Sequence, residues 1–412
     1  MRIGFLSTRF GGPDGVSLET AKLAKILESM GHEIRFCAGE YEGDSSGLII
    51  PKMSFNHPEV RELGRRAFRG GTKTGLSGDI VEFAEELKRE ITGFVAAAGV
   101  EVLCTQNVQS LPMNLPLGVA LGKFIAETGF PVLAHHHDFW WERERFLASG
   151  VPEILRRYFP PDLDSIRHLV INTIAGEELC RRKKLRGVLL PNVYDFDNPP
   201  ASEGDDFIGD LRGDLGMAED EVFFLQPTRV VPRKWVEKSI ELVSRLSDFS
   251  DKLIITGPAG DEGMDYLHYL RRKAREKHVD LRYVADEFGP NRSQNPKTYS
   301  IWDAYLEADF VTYPSRKEGF GNALLETIYY RLPALVNRYP VYEKDISPLG
   351  FDFVEIEGTI DSSAVSSATR LLADEDMREK TVNKNYRIGR EHFSFSRAEG
   401  VLTDLLRELE TV

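Results

Sequence analysis

Two glutamates, Glu318 and Glu326, are separated by seven residues that begin Gly319-Phe320-Gly321-Asn322. The run follows an apolar stretch ending at Tyr313-Pro314 and leads into a helix-like segment. Glycines without a Cβ let the backbone amides near Gly319 and Gly321 approach a ligand closely. Together with the N-terminus of the following helix, those amides suit an anion such as phosphate. Carboxylates are poor phosphate ligands, so the two glutamates should hold hydroxyls instead. A sugar and a ribose flanking a diphosphate would supply them. The plain alternative is a strand–loop–helix with two solvated glutamates, and composition alone leaves both readings open.

Three adjacent histidines, His135-His136-His137, precede Asp138 at the end of another apolar run. Neighbours in an extended chain point to opposite faces, so at most His135 and His137 converge. No H-x-E or C-x-x-C cluster accompanies them, which argues against a metal centre. Asp195-Phe196-Asp197 and Asp162-Leu163-Asp164 match a D-x-D pattern literally. Both lie in loop-like contexts where Asp is common, and we read them as chance.

The elements that must position these residues alternate from end to end. Short apolar runs (Arg2–Leu6, Ile34–Ala38, Val100–Thr105, Pro131–His136, Leu169–Asn172) interleave with amphipathic stretches such as Val16–Met30, which Gly31 stops. The charged stretch from Pro58 to Val95 reads as helical with a break near Gly70-Gly71. The segment Asp195–Gly213 is rich in Asp, Pro and Gly, including Glu203-Gly204-Asp205-Asp206, and reads as a linker. Strands then resume at Val222–Gln226, Leu253–Thr256, Leu281–Val284, Asp309–Tyr313 and Ala334–Asn337, with helices at Arg233–Leu246 and Asn322–Tyr330. The last ~50 residues read as mainly helical. This is the signature of βαβ units. It predicts two doubly wound parallel-sheet α/β domains facing across a cleft, with ligands at the carboxyl ends of strands.

A chain of 412 residues suits two such domains. A net charge of −13 argues against nucleic acid as the main partner and weakens a permanent seat on an anionic membrane. No apolar run reaches the ~18 residues of a transmembrane helix. The N-terminus runs straight into a strand without a signal-peptide pattern. Cys37, Cys104 and Cys180 fit neither a zinc site nor a disulfide framework, which points to reduced thiols and a cytoplasmic location.

The pattern Glu318-Gly319-Phe320-Gly321 with a second Glu at 326 resembles the hallmark of the retaining GT-B glycosyltransferases of family 4. The resemblance implies that Glu318 contacts the donor sugar, that the amides of Gly319, Phe320, Gly321 and Asn322 contact the diphosphate, and that Glu326 binds the ribose. Further segments are similar to that family over most of the chain. Arg229-Val230-Val231-Pro232-Arg233-Lys234-Trp235 resembles its Arg-x-x-x-x-Lys-Gly element, with Trp235 in place of Gly. Arg229 and Lys234 would then stabilise the charge that grows on the leaving diphosphate, with Arg233 sharing or replacing the Lys role. Gly12-Pro13-Asp14-Gly15 resembles the glycine loop near donor phosphates and acceptor, and Gly257-Pro258 the nucleobase site. His137 matches a cleft histidine that orients donor and acceptor, with Asp138 beside it. Gly31-His32-Glu33-Ile34, Pro191-Asn192-Val193 and Phe393-Ser394-Phe395 match the end of the first helix, the interdomain linker and the closing segment. The implied organisation is an acceptor-binding domain over 1–195, a donor-binding domain over 196–392, and a final helix of about 393–412 packing back on the first. The implied reaction retains anomeric configuration and has no protein nucleophile: the acceptor hydroxyl attacks the face from which the diphosphate leaves. No motif demands Mg²⁺, although an ion loosely bound on the diphosphate is compatible with this reading, as is a homodimer.

The sequence says less about the substrates. Two basic features stand in the first half of an acidic chain: Arg61, Arg65, Arg66, Arg69 and Lys73, and Arg143 with Arg145 just after Trp140-Trp141. Such arginines suit a small anionic sugar acid or sugar phosphate, with Arg66 and Arg143 as candidate acceptor ligands beside Asp14 and Asp138. An anionic lipid surface or a plain solvated face are the other readings. The N-terminal segments Gly4–Arg9 and Asp14–Glu19 are similar to a narrower group, the mannosylglucosylglycerate-synthase-like proteins. That implies GDP-mannose as donor, ahead of UDP-glucose, and a glucosylglycerate-type acceptor. A GT-B-like nucleotide-sugar epimerase and an inactive sugar-nucleotide-binding protein are the alternatives. A Rossmann dehydrogenase fits worse, because no G-x-G-x-x-G follows the first strand.

Overall fold

The structure is a computed structural model that describes residues 1–11, 14–42, 47–70, 74–200, 207–246, 249, 251–260, 263–289 and 291–410. Gly12 and Pro13 of the glycine loop, Gly71, Lys73 and the Glu203-Gly204-Asp205-Asp206 stretch lie outside the described residues. The chain forms two compact units, Met1–Val193 with Ser396–Val412, and Tyr194–Phe395.

The first unit carries a seven-stranded sheet in which all pairs are parallel: β1 (Arg2–Ser7), β2 (Glu33–Ala38), β3 (Leu48–Ile49), β4 (Val102–Gln106), β5 (Val132–His136), β6 (Ile166–Val170) and β7 (Gly187–Leu189). Its order is β3-β2-β1-β4-β5-β6-β7. The helices are α1 (Gly15–Ser29), α2 (Pro58–Phe68), α3 (Leu76–Ala98), α4 (Leu115–Thr128), α5 (Glu144–Leu147), α6 (Pro152–Tyr158) and α7 (Thr173–Lys183). Central strands β4 and β5 are buried along their whole length, as a parallel sheet covered on both faces requires. Helix α4 buries ten of its residues, from Leu115 round to Ile125, so it lies within the core rather than on its surface. Gly31 takes φ +86 just past the end of α1, where a left-handed residue closes the helix.

The first helix of the second unit is α8 (Leu211–Asp214), a short helix that overlaps the end of the segment expected to be linker. Its main sheet contains β8 (Val222–Gln226), β9 (Asp251–Ile255), β10 (Leu281–Tyr283), β14 (Phe310–Tyr313), β15 (Ala334–Asn337) and β16 (Val354–Ile356), in the order β10-β9-β8-β14-β15-β16. All five pairings are parallel. A three-stranded sheet, β11 (Phe288–Gly289), β12 (Ser293–Gln294) and β13 (Lys297–Ser300), follows β10. The helices after α8 are α9 (Glu237–Val243), α10 (Asp265–Glu276), α11 (Ile301–Glu307), α12 (Asn322–Tyr329), α13 (Ser362–Ala373) and α14 (Glu375–Phe393).

The second unit is one continuous stretch, and its two ends meet. The Tyr194 amide donates to the Phe393 carbonyl at 2.8 Å, and Tyr194 pairs with Ser394 in a parallel bridge. In the first unit, Lys22 donates to the Val193 carbonyl at 2.7 Å while the Val193 amide donates to Glu19. The last helix, α15 (Phe395–Glu410), completes that unit, with Arg167 of β6 on Glu408 at 2.9 Å. Among the described residues no helix is long and apolar enough to cross a membrane.

Candidate active site

In the second unit the strand order reverses between β8 and β14, since β9 lies on one side of β8 and β15 on the far side of β14. Loops that leave neighbouring strands at such a switch point diverge and open a crevice at the carboxyl ends. The two segments singled out in the sequence are those loops: 227–236 follows β8 and 314–321 follows β14. A buried hub joins their roots. Gln226 Nε2 donates to Thr228 Oγ1 at 2.8 Å, while Gln226 Oε1 accepts from Ser239 Oγ at 2.7 Å and Thr312 Oγ1 at 2.9 Å. Buried amides require such partners, so the hub ties the two strand ends together.

Glu318 is the centre of the site. Lys234 Nζ donates to its Oε1 at 2.5 Å, and Arg233 Nη1 donates to its Oε2 at 3.1 Å. Burial pushes the Glu318 carboxyl up, but Lys234 and Arg233 outweigh it and hold the group below its ordinary value. Glu318 is therefore an anion sharing two cations. The Arg316 amide donates to the Arg233 carbonyl at 2.9 Å, so the loops also join through the backbone. The predicted helix Arg233–Leu246 is corrected here. Pro232–Lys234 form a single 3-10 turn, Trp235 is left-handed at φ 53, and the helix starts only at Glu237. That conformation explains how glycine serves at this position in the resembled motif. Trp235 holds it with its ring against the Arg316 guanidinium, 4.1 Å away, and Lys238, 5.3 Å away.

Gly257 and Pro258 lie against the same loop. A Cβ on Gly257 would stand 2.1 Å from the Thr228 carbonyl oxygen, so only glycine permits this approach. The Val230 amide donates to the Pro258 carbonyl at 2.9 Å, which sets Arg229 next to Gly257. Gly321 takes φ +131, and a Cβ there would meet Tyr339 Oη at 2.8 Å and Tyr313 Oη at 3.1 Å. Asn322 opens α12, and Glu326 one turn on accepts from Tyr305 Oη at 2.8 Å. Arg229, Lys234, Gly257, Pro258, Glu318, Gly319, Phe320, Gly321, Asn322 and Glu326 all lie in these loops and the first turns of α12.

In the first unit the histidines follow β5. His135 Nδ1 and His137 Nε2 both donate to Gln106 Oε1, at 3.1 and 2.9 Å, with the rings 4.2 Å apart. With Nε2 committed, neutral His137 keeps Nδ1 as an acceptor. His136 turns to the other face and meets His168, Nε2 to Nδ1, at 2.9 Å. Asn107, at φ 59, accepts the His137 amide on Oδ1 at 2.7 Å and fixes the strand end. Burial lowers the pKa of His137 to about 3 and of His168 to about 4, and burial together with the neighbouring histidines holds His135 and His136 well below the ordinary imidazole value. These rings are neutral when folded and titrate near 6.5 when unfolded. Stability should thus fall as pH drops below 6.5, by about 1.4 kcal/mol per pH unit for each histidine. Asp251, raised to about 6 by burial and by Glu221 and Asp280, and Glu287, raised chiefly by burial, act in the opposite sense, two carboxyls against five histidines once His32, also lowered by burial, is included. A melting temperature lower at pH 5 than at pH 7 is the expected result; equal values would show these rings accept protons in the folded state.

The remaining predicted residues already have structural work. Asp14 is the N-cap of α1: Oδ1 accepts from the amides of Val16 and Ser17, and Oδ2 from Arg9 at 2.8 Å and Ser17 Oγ at 2.9 Å. Gly15 is the first residue of α1. Arg66 donates to Asp79 at 2.8 Å and to the Thr74 carbonyl at 3.2 Å, joining α2 to α3. Arg143 donates to Asp138 at 2.6 Å.

Residues 208–388 match the family model described as "Glycosyl transferases group 1". The chain is 35% identical to a mannosylglucosylglycerate synthase of Thermotoga maritima, over 98% of this chain and 99% of that protein. The chain belongs to the group 1 glycosyl transferases. A mannosylglucosylglycerate synthase of Petrotoga mobilis is 33% identical over 86% of each chain. The HepE protein of Anabaena, solved in complex with UDP and glucose, shares the fold with a TM-score of 0.63 at 14% identity, covering 98% of this chain and 99% of that one. The fold is thus GT-B, with two Rossmann-like domains.

Three tyrosines of this glycosyltransferase escaped the sequence reading. Tyr339 Oη donates to the Phe320 carbonyl at 2.6 Å from beneath the glycine loop, with Tyr313 packed edge-on to it at 6.2 Å. A trans peptide sets C=O and N–H on opposite edges. Holding the Phe320 oxygen inward therefore turns the Gly321 amide outward, where it donates to no described residue. Tyr305 fixes Glu326 in the same manner. Tyr313 ends β14, Tyr339 follows β15 and Tyr305 lies in α11 just ahead of β14, so their meeting at this loop is not written in any one segment.

Proposed function

We propose that this glycosyltransferase moves a hexose from a nucleoside-diphosphate sugar, GDP-mannose ahead of UDP-glucose, onto a small anionic acceptor of the glucosylglycerate type, with retention of configuration. The observation that carries it is the largely buried Glu318 carboxylate, its side chain 10% exposed, shared by Lys234 and Arg233 beside a glycine loop with an outward amide. Such a cluster can take a sugar hydroxyl and a diphosphate side by side. Near-collinearity with two mannosylglucosylglycerate synthases supports the substrate class, and HepE in complex with UDP and glucose supports a nucleotide donor.

In this reading the second unit holds the donor. Gly257 and Pro258 border the base, Glu326 takes the ribose, and the amides of Phe320, Gly321 and Asn322 with Arg229 and Lys234 take the diphosphate. Glu318 takes the sugar. In the first unit Gly15 borders the donor phosphates, Asp138 and Arg143 face the acceptor, and His137 accepts an acceptor hydroxyl on Nδ1. Asp14 acts by capping α1, and Arg66 by joining α2 to α3. The bond from the anomeric carbon to the phosphate oxygen breaks as the acceptor oxygen bonds on the same face. The leaving phosphate oxygen takes the acceptor proton, and the cations stabilise the charge that grows there. No step passes through Mg²⁺. The cytoplasm, where nucleotide sugars are at hand, fits this chemistry.

Melting temperatures with millimolar GDP, UDP and ADP test the donor. A ligand at ~100 times its Kd adds about 2.7 kcal/mol, a shift of a few degrees. GDP-mannose with glucosylglycerate, followed by NMR of the anomeric proton, tests the transfer. No shift with any nucleotide and no product from either donor would overturn the reading. A Tyr339→Phe variant should bind nucleoside diphosphate about three- to tenfold more weakly, as loss of one hydrogen bond implies, and the nucleoside equally well. Unchanged diphosphate affinity would remove Tyr339 from the phosphate site.

A further inference from the structure

The two basic features of the first unit meet at one place. The last residue of α2, Phe68, packs its ring edge-on against Phe146 of α5 at 4.9 Å, and the Gly150 amide donates to the Ala67 carbonyl at 2.7 Å. Arg69 directly follows Phe68 and caps α2; Arg145 directly precedes Phe146. Arg143, the N-cap of α5, holds Asp138, the residue after His137. Several other arginines of this unit are neutralised nearby, among them Arg65 by Glu62, Arg66 by Asp79, Arg156 by Glu153, Arg167 by Glu408 and Arg181 by Glu178. Arg145 differs. Its guanidinium lies over the Phe146 ring, 4.6 Å away, and its Nη2 is 2.9 Å from Met113 Sδ, an uncharged and weak acceptor. Neither Arg145 nor Arg69 has an ion pair among the described residues. Burial and the cations of Arg143 and Arg69 depress the Arg145 guanidinium, and Asp138 offsets them only in part.

Three guanidinium groups around one carboxylate repel one another, in a chain whose net charge is −13. An added anion relieves that repulsion. We propose that Arg145, with Arg69 and Arg143, forms the site that takes the carboxylate of a sugar-acid acceptor. This rests on the acceptor class proposed above. Phe146 covers a face of the guanidinium and Met113 takes one Nη2 hydrogen, which leaves the other N–H groups for a two-point contact with a planar carboxylate. Asp138 sets the site one residue from His137. Discrimination between an acid and its neutral analogue then comes from this cluster.

The test is calorimetric titration of the full chain, with nucleoside diphosphate present, by glucosylglycerate and by glucosylglycerol, which lacks the carboxylate. The acid should bind about 10- to 100-fold more tightly than the neutral analogue. Arg145→Gln should erase that preference and leave the nucleotide-induced melting shift unchanged. Arg69→Gln, at an exposed position, should reduce it and guards against a folding defect. Equal binding of acid and neutral analogue by the unaltered protein, or a preference that survives both variants, would overturn the site. So would arginine-dependent binding to phosphatidylglycerol vesicles without any preference between the two sugars. An arginine-dependent preference for the acid without transfer would support the anion site and reject the acceptor reading.

Discussion

Glu318→Gln should lower turnover on the order of 10²–10³-fold, the scale seen when one preorganised polar contact to a reacting group is removed. Nucleotide binding should hold or tighten. In the empty protein Glu318 neutralises Lys234 and Arg233, and losing that charge leaves two cations around a neutral amide. Breaking a buried pair by deleting one partner costs about 3–5 kcal/mol. Lys234, already lowered by burial, offsets part of that by releasing its proton. A bound diphosphate supplies the missing negative charge. The variant should therefore melt lower than the parent when empty and show a larger upward shift on adding nucleoside diphosphate. Steady-state rates and melting curves with and without nucleotide check both halves. Unchanged turnover would remove Glu318 from the donor site.

Lys234→Ala should weaken nucleoside diphosphate binding about 10- to 100-fold, because a charge-assisted hydrogen bond contributes about 1.5–3 kcal/mol. The side chain is buried and sits 5.5 Å from the Tyr313 ring centroid, so water does not readily replace it. Glu318 would keep Arg233 alone, and its carboxyl would rise. The loss should exceed that of Arg233→Ala, since Arg233 is the more exposed of the pair and its contact with Glu318 is longer. Titration calorimetry of both variants with one nucleotide measures the order. Equal affinity for the Lys234 variant and the parent would sink its diphosphate role.

The alternation of apolar runs and helices was enough to read the strands of both main sheets near the site, and the Glu318–Glu326 loop fell at a strand end as its composition implies. Local order was harder where one residue redirects the chain. Leu169–Asn172 looked like a strand, but Asn172 caps α7 by accepting the Ala175 amide at 2.7 Å, so the strand runs earlier, over Ile166–Val170. Arg233–Leu246 looked like one helix, but left-handed Trp235 splits it. Contacts between distant segments left no local signal. Tyr339 reaches Phe320 from beyond the next strand, and Arg69 nears Arg145 only because Phe68 and Phe146 stack. Periodicity reports which face of an element is buried; it does not report which buried face meets which.

The second unit is a single uninterrupted stretch whose entry and exit lie side by side at Tyr194 and Ser394, while α15 returns to the first unit. On a ribosome the chain emerges in order, and domains generally fold as units as they appear. The second unit therefore has all its residues before the first has its last helix. The first unit must wait, with the surface that will meet Leu402, Leu405, Leu406 and Leu409 uncovered, until translation of α15 is finished. A stalled or truncated message would yield one finished half and one with an open apolar face, the kind of surface that chaperones bind.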